Sequence, residues 1–298
     1  MIMNIAMFIF CVIVWGSSYW FAKKQAIFAP AEFSLLIRQI VALVFFCILY
    51  LLNYKKYRLK ISQYVDIGIF AICNFMLGYW LLYISTGYLS SGVVVVIFSF
   101  KSILTPILLS LKNKETVKTS ILVGAFIAIV GIFILVYDSL SFNDSANFGL
   151  LYAFIGTLMT STGDMYSAKN SKNKIHPIYA NLIGLLIIVP IMLIVNINNA
   201  TYLARLSDFN YLFSIFYLGV VASGLAWLFY LKLIKNIGAV YSSYMVTLFP
   251  IVGCIVSILF EHMEFTSNIA IGMILETLGL LVVFMGEKIV KLCWRVFE

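Results

Sequence analysis

The sequence predicts an all-α integral membrane protein of ten transmembrane helices, arranged as two inverted five-helix repeats with both termini cytoplasmic. Three observations carry this prediction. The 298 residues are 63% hydrophobic and 11% charged, with a mean hydropathy of +1.05, whereas soluble domains carry about 25% charged residues. Apolar windows of spanning length, about 20 residues, recur from one end of the chain to the other. The second half also repeats the first at an offset of about 148 residues. Trp15-Gly16-Ser17-Ser18-Tyr19 is answered by Thr162-Gly163-Asp164-Met165-Tyr166, Tyr79 by Trp227, and Gly124 and Gly131 by Gly272 and Gly279.

The windows fall at 3–24, 32–52, 65–86, 89–111, 119–137, 148–168, 177–196, 210–231, 238–260 and 268–286. Each is long enough to cross a hydrocarbon core of about 30 Å as a helix. A helix is the one open-ended element that satisfies its own backbone in lipid. The first run has no basic n-region and continues through bulky Tyr19, Trp20 and Phe21, so it reads as a retained span and not a cleaved signal. The connections are short, and none is long enough for a soluble module.

Loop charge orients the spans. With the N-terminus inside, fifteen of the 20 basic residues fall on the cytoplasmic side. They are Lys55, Lys56, Arg58, Lys60, Lys112, Lys114, Lys118, Lys169, Lys172, Lys174, Lys232, Lys235, Lys288, Lys291 and Arg295. Lys23, Lys24 and Arg205 face the other side, among the acidic Glu32, Asp138, Asp144, Asp208, Glu261 and Glu264. That is the positive-inside pattern. Because each half holds five spans, the second half starts on the opposite side and sits upside down. The net charge of +8 is thereby a topology signal, and no nucleic-acid partner is expected.

Cofactor and metal chemistry find no foothold. Cys11, Cys47, Cys73, Cys254 and Cys293 lie in or beside apolar runs without a C-x-x-C pair, and read as small core residues. His176 and His262 fall in connections with no partner at ligand spacing. A Tyr137-Asp138 and Gly163-Asp164 pair superficially matches the intramembrane aspartyl proteases. However, Ser161 stands where the second motif needs glycine, and the two acids sit toward opposite membrane faces. The chain is therefore expected not to be an enzyme.

A charge at mid-bilayer costs roughly 2.5–3.5 kcal/mol on insertion scales, so retained ones face a cavity or a partner. Arg38, Lys101, Asp164 and Glu276 qualify by depth, and two bases with two acids are expected to neutralise one another in pairs. A carboxyl partly desolvated in a bundle can exchange a proton near neutral pH, so Asp164 and Glu276 are candidate coupling acids. Asp164 would otherwise face a substrate ammonium, and Lys101 a substrate carboxylate. The plainer alternative is a structural pair between Asp164 and Arg38 or Lys101, with Glu276 a packed glutamic acid. Aromatic residues at depths where no interfacial belt is expected, namely Trp15, Tyr19, Tyr79, Tyr83, Trp227, Tyr230 and Tyr244, are candidates to line a central cavity. Core packing is the competing role for each. Pro106, Pro190 and Pro250 free a backbone carbonyl within spans and mark kinks, with Pro106 and Pro250 the candidate gates. Gly124-x6-Gly131 and Gly272-x6-Gly279 suit close helix contact.

At this point the residues resemble the drug/metabolite transporter superfamily, and within it the EamA-type ten-span permeases. The likeness rests on Trp15-Gly16-Ser17-Ser18 followed by Lys23, on Arg38 in a leucine-rich span, and on Lys114-Glu115-Thr116 before Gly124 and Gly131. It continues with Gly238-Ala239-Val240 through Pro250 and with Glu264-Phe265-Thr266 before Gly272. Ser102 stands near the family's fourth-span proline, and Lys101, Asp164 and Glu276 are atypical. The resemblance implies a secondary transporter in a bacterial inner membrane, without a cofactor, moving small metabolites, often amino acids, by alternating access. It implies repeats at 1–145 and 146–290 followed by a cytoplasmic tail at 291–298. It also associates spans 5 and 10 with contacts between halves or protomers, which leaves a homodimer open. Opposite charges in the core suit a zwitterion, with efflux of cationic drugs or nucleoside-type metabolites as the competing reading. A non-transporting membrane scaffold is the remote one.

Overall fold

In the computed structural model, residues 2–52, 59–140, 144–237 and 244–296 are described. Among them every apolar window is helical and no strand occurs. Helix α1 spans Ile2–Gln25, α2 Ala31–Leu52, α3 Ile61–Thr86, α4 Ser91–Asn113 and α5 Thr119–Leu140. The second set is α6 (Asp144–Lys172), α7 (Pro177–Val195), α8 (Phe209–Tyr230, continuing to Ile237), α9 (Phe249–Glu261) and α10 (Ser267–Val296). Helices α1–α4, α7 and α8 are long and apolar enough to cross a membrane, and α5, α9 and α10 contribute shorter apolar stretches. Helix α6 is long but too polar to join them. Its buried Thr157 and Ser161 donate to its own Ala153 and Thr157 carbonyls at 2.7 and 2.8 Å. The expected Lys55, Lys56 and Arg58, the Gly238-Ala239-Val240 stretch and the tail side chains lie outside the described residues.

The helices stop where the sequence supplies caps. The Ser90 hydroxyl accepts from the Val93 amide at the start of α4, and Asp208 accepts from the Asn210 and Tyr211 amides at the start of α8. Pro177 opens α7 at a position where its missing N–H costs nothing. Between α7 and α8 a 3-10 helix, Ile197–Ser207, lies over the bundle end, with Tyr202 against Phe33.

The two sets run antiparallel. Asn4, near the start of α1, accepts a 2.9 Å hydrogen bond from Asn236 at the end of α8. At the other end of α1, Lys23 donates to the Leu89 carbonyl at 3.2 Å. Helix α6 enters the bundle at that second end, with Gly149 packed on Tyr88 and Leu89. Helices α1 and α6 therefore start at opposite ends. We call the end holding Asn4, Lys112, Lys169 and Lys172 the basic end, and the one holding Glu32, Asp208 and Glu261 the acidic end.

The repeat is closed on itself by its fifth helices. A Cβ added to Gly124 would lie 2.5 Å from the Gly279 carbonyl oxygen, and one added to Gly272 would lie 2.6 Å from that of Gly131. Helices α5 and α10 thus touch backbone to backbone at two reciprocal points. Helices α4 and α9 are interrupted at equivalent places. Helix α4 divides at Phe100 into α4a (Ser91–Ser99) and α4b (Lys101–Asn113), and a 3-10 turn, Tyr244–Leu248, ends where α9 begins. The expected break at Pro106 is not found there: the proline frees only the Ser102 carbonyl, the helix runs on through it as α4b, and the interruption lies earlier, at Phe100. Pro250 falls in the first turn of α9 and starts it, and α7 continues unbroken through Pro190.

A third pair of irregularities was not foreseen. Helix α3 carries a π-helical segment at Ile72–Gly78 and α8 one at Tyr217–Leu225, again about 148 residues apart. In each, a carbonyl is taken up by a side chain from a neighbouring helix. Gln39 Nε2 donates to the Phe75 carbonyl at 2.7 Å, and Trp15 Nε1 to the Ala222 carbonyl at 3.0 Å.

Candidate functional site

Between the two repeats lies a cavity of about 680 Å³. Its lining reaches the exposed Ser171 and Lys172 at the basic end, but stops at Ala22, Leu82 and Phe98 toward the acidic end. Beyond that limit the acidic end is zipped shut. Ser91 and Ser257 hydroxyls meet at 3.1 Å, and the Gly92 amide donates to Ser257 Oγ at 2.9 Å. Lys23 Nζ pairs with Glu261 Oε2 at 2.7 Å, and Glu261 also accepts from the Ser91 amide at 3.1 Å. These contacts join α1 and α4a of the first helix set to α9 of the second.

Three charged side chains line the cavity's interior. Lys101 Nζ lies 2.9 Å from Asp164 Oδ2, and Asn74 Nδ2 donates to Asp164 Oδ1 at 2.9 Å. Both members of the pair are partly exposed to the cavity. Arg38, 6% exposed, takes no carboxylate partner among the described residues. Its Nε and Nη2 donate to Ser223 Oγ at 3.3 and 3.2 Å, and Nη1 donates to the Tyr83 hydroxyl at 3.3 Å. The guanidinium carbon stands 4.5 Å over the Tyr79 ring, a cation–π contact that offsets part of the cost of burial. The expected pairing of two bases with two acids is therefore corrected to one ion pair and one cation held by neutral groups.

The π segments explain this arrangement. Each re-aims a polar side chain that a regular helix would turn elsewhere. In α3 it brings Asn74 against Gly163, where an added Cβ would lie 2.8 Å from that of Asn74, and so onto Asp164. In α8 it brings Ser223 onto Arg38. Asn74 and Ser223 were missed in the sequence. The only signal there was a single polar residue inside an otherwise apolar run.

The aromatic walls are partly fixed. Trp15 makes edge contacts with Trp227, Tyr230 and Phe249 at centroid distances of 6.0, 5.5 and 6.0 Å, and Tyr19 leans on Phe98 at 5.5 Å. Trp15, Tyr19, Tyr79, Tyr83, Trp227 and Tyr230 all line the cavity. Tyr244 opens the 3-10 turn before α9, and its side chain lies outside the described residues. Glu276 does not join the site. It is fully buried on α10, where it accepts from Ser99 at the end of α4a, and its Oε2 has no hydrogen-bond partner among the described residues. Pro106 and Pro250 are not in the lining either.

The EamA-like transporter family matches residues 2–137 and again 147–285. The chain belongs to the EamA-like transporter family. The two matches fall on α1–α5 and on α6–α10, so each antiparallel helix set is one EamA-like unit and the cavity lies between the two. A solved crystal structure of another protein is similar to this EamA-like chain over 94% of its length and 96% of its own, at 13% identity with a TM-score of 0.63. That likeness concerns the fold alone. No curated protein sequence matches the chain. Membership makes it a multi-pass membrane transporter of small molecules. Within this EamA-like frame, Arg38, Lys101, Asp164 and Lys172 are the charged side chains of the cavity lining.

Proposed function

We propose that the protein is a ten-span permease of the bacterial inner membrane, with both termini cytoplasmic, which moves an amino-acid-like solute by alternating access between its two inverted repeats. The cavity between antiparallel repeats, open at one end and zipped at the other, carries this reading. With the basic end taken as the cytoplasmic one from its loop charge, this arrangement would be an inward-open state. Rocking of the repeats about the interruptions in α4 and α9 would close the basic end and part α4a from α9. A substrate carboxylate would sit at Arg38, while its ammonium would displace Lys101 from Asp164. Coupling is proposed at Asp164, where a proton would release Lys101. Glu276 would act separately, at the break in α4. Residues 1–145 and 146–290 would move as the two units.

Efflux of cations is less well supported, because Asp164, the acid of the cavity, is already engaged by Lys101 and Asn74. Uptake into proteoliposomes across an amino-acid panel tests the reading, with and without an imposed pH gradient. The expected result is saturable uptake that loses its pH response in Asp164→Asn. If no amino acid moves or competes, the reading falls.

A further inference from the structure

The charged groups that line the cavity do not cancel. Lys101 and Asp164 neutralise each other at 2.9 Å, which leaves Arg38 as an interior cation without a carboxylate among the described residues. Lys172 adds a second positive charge at the mouth. Glu276 brings no compensation, since it lies outside the lining and is sealed against Ser99. Asp66, the acid on α3, is taken by Lys169 at 2.7 Å. A buried cation held only by neutral acceptors and ring faces is an incomplete site. Ser223 accepts from Nε and Nη2 and Tyr83 from Nη1, but each has only a hydroxyl to offer.

We infer that the solute is a monoanion, one whose net charge of −1 completes the cavity, with its uncompensated carboxylate on Arg38. This rests on the proposed function and narrows it. Among amino-acid-like solutes it selects acidic ones, or carboxylates without an ammonium, over neutral zwitterions. Arginine suits the task because its planar fork meets a carboxylate with two donors and its face stacks on Tyr79. Ser223 is a positioning residue here, since it holds the guanidinium and leaves the charge unchanged.

The test compares acids with their own amides, so that size and shape are constant: glutamate with glutamine, aspartate with asparagine, and phenylpropionate with phenylpropionamide. Purified protein is titrated with each while its thermal unfolding is followed, and the same solutes compete for uptake in proteoliposomes. In the wild type the acid of at least one pair should bind about tenfold more tightly than its amide, the scale of one charge-assisted hydrogen bond. Arg38→Gln should erase that preference. Because Arg38→Gln removes a buried group and can cost folding, three further variants leave Arg38 in place. Lys101→Met, which frees the charge of Asp164, should also lower the acid preference, and Asp164→Asn should raise it. Ser223→Ala should weaken acid binding more than amide binding. An amide that binds as well as its acid in every pair overturns the inference yet leaves amino-acid transport standing. Silence from all six solutes, in binding and in uptake alike, would overturn the inference, and silence from the whole amino-acid panel as well would overturn both.

Discussion

At the scale of single residues, the account turns on how three charges are held. Lys101 and Asp164 depend on each other, so removing one partner strands the other. Lys101→Met and Asp164→Leu are each expected to lower the unfolding midpoint, and the double variant to recover much of the loss. A double-mutant cycle in thermal unfolding measures this, with coupling on the order of 1 kcal/mol for a pair this exposed. Arg38 depends on shape as well as charge. Arg38→Lys should therefore fail to restore acid binding, because an ammonium cannot reach Ser223 and Tyr83 together from the face of Tyr79. The charges themselves were legible in the sequence, since each lies in an apolar run where a charge is costly. Their partners were not. Which acid Lys101 meets depends on how α4b crosses α6, and no spacing along the chain reports that crossing. Glu276 looked equivalent to Asp164 by depth alone, and only packing separates the one sealed on Ser99 from the one that faces the cavity.

At the scale of elements, the repeat has written the same irregularities twice. The breaks at Phe100 and Leu248 stand at corresponding positions, as do the π segments of α3 and α8. Helix identity was readable from hydropathy, and most window edges fall within a few residues of the observed ends. The exceptions are α9, which begins at Phe249 well inside the window at 238–260, and α10, which runs on to Val296 past the window at 268–286. The π segments were not readable, because one extra residue in a turn changes no composition. Gly124, Gly131, Gly272 and Gly279 were read as packing residues, and the backbone contact between α5 and α10 is their physical reason. Gly131→Val would set a branched side chain against the Gly272 carbonyl and the backbone of Glu276. Overpacking of this kind costs typically 1–3 kcal/mol. The midpoint of thermal unfolding in detergent should fall accordingly, with a similar loss for Gly279→Val and little for Val123→Ala, whose side chain is exposed. In α8, Ser223→Ala removes a hydrogen bond without disturbing Trp15 on the Ala222 carbonyl, so the π segment should survive it.

At the scale of the whole molecule, the two-fold relation between repeats predicts what the structure does not display. The acidic end is closed by α4a against α9, and the positions related to these by the repeat lie at the basic end, in α4b and the stretch before α9. The halves differ in one respect that bears on the resting state. Lys23 and Glu261 lock the acidic end, whereas the repeat places Ser171 and Asn113 at the corresponding positions of the basic end. Lys23→Gln is thus expected to shift the population toward opening at the acidic end, read as faster modification of a cavity cysteine from that side. The most direct test of alternating access needs no substrate. In protein with its native cysteines replaced, Ser91→Cys and Ser257→Cys bring two thiols to where the hydroxyls now stand 3.1 Å apart, close enough to form a disulfide. Ser18→Cys then reports access to the cavity lining. With the lock reduced, an impermeant maleimide should reach the reporter from both faces of oriented vesicles. With the lock oxidised, it should reach it from the basic-end face alone, and reduction should reverse the effect. Equal labelling from both faces in the locked protein would contradict the account, as would a reduced protein that is never labelled from the acidic-end face.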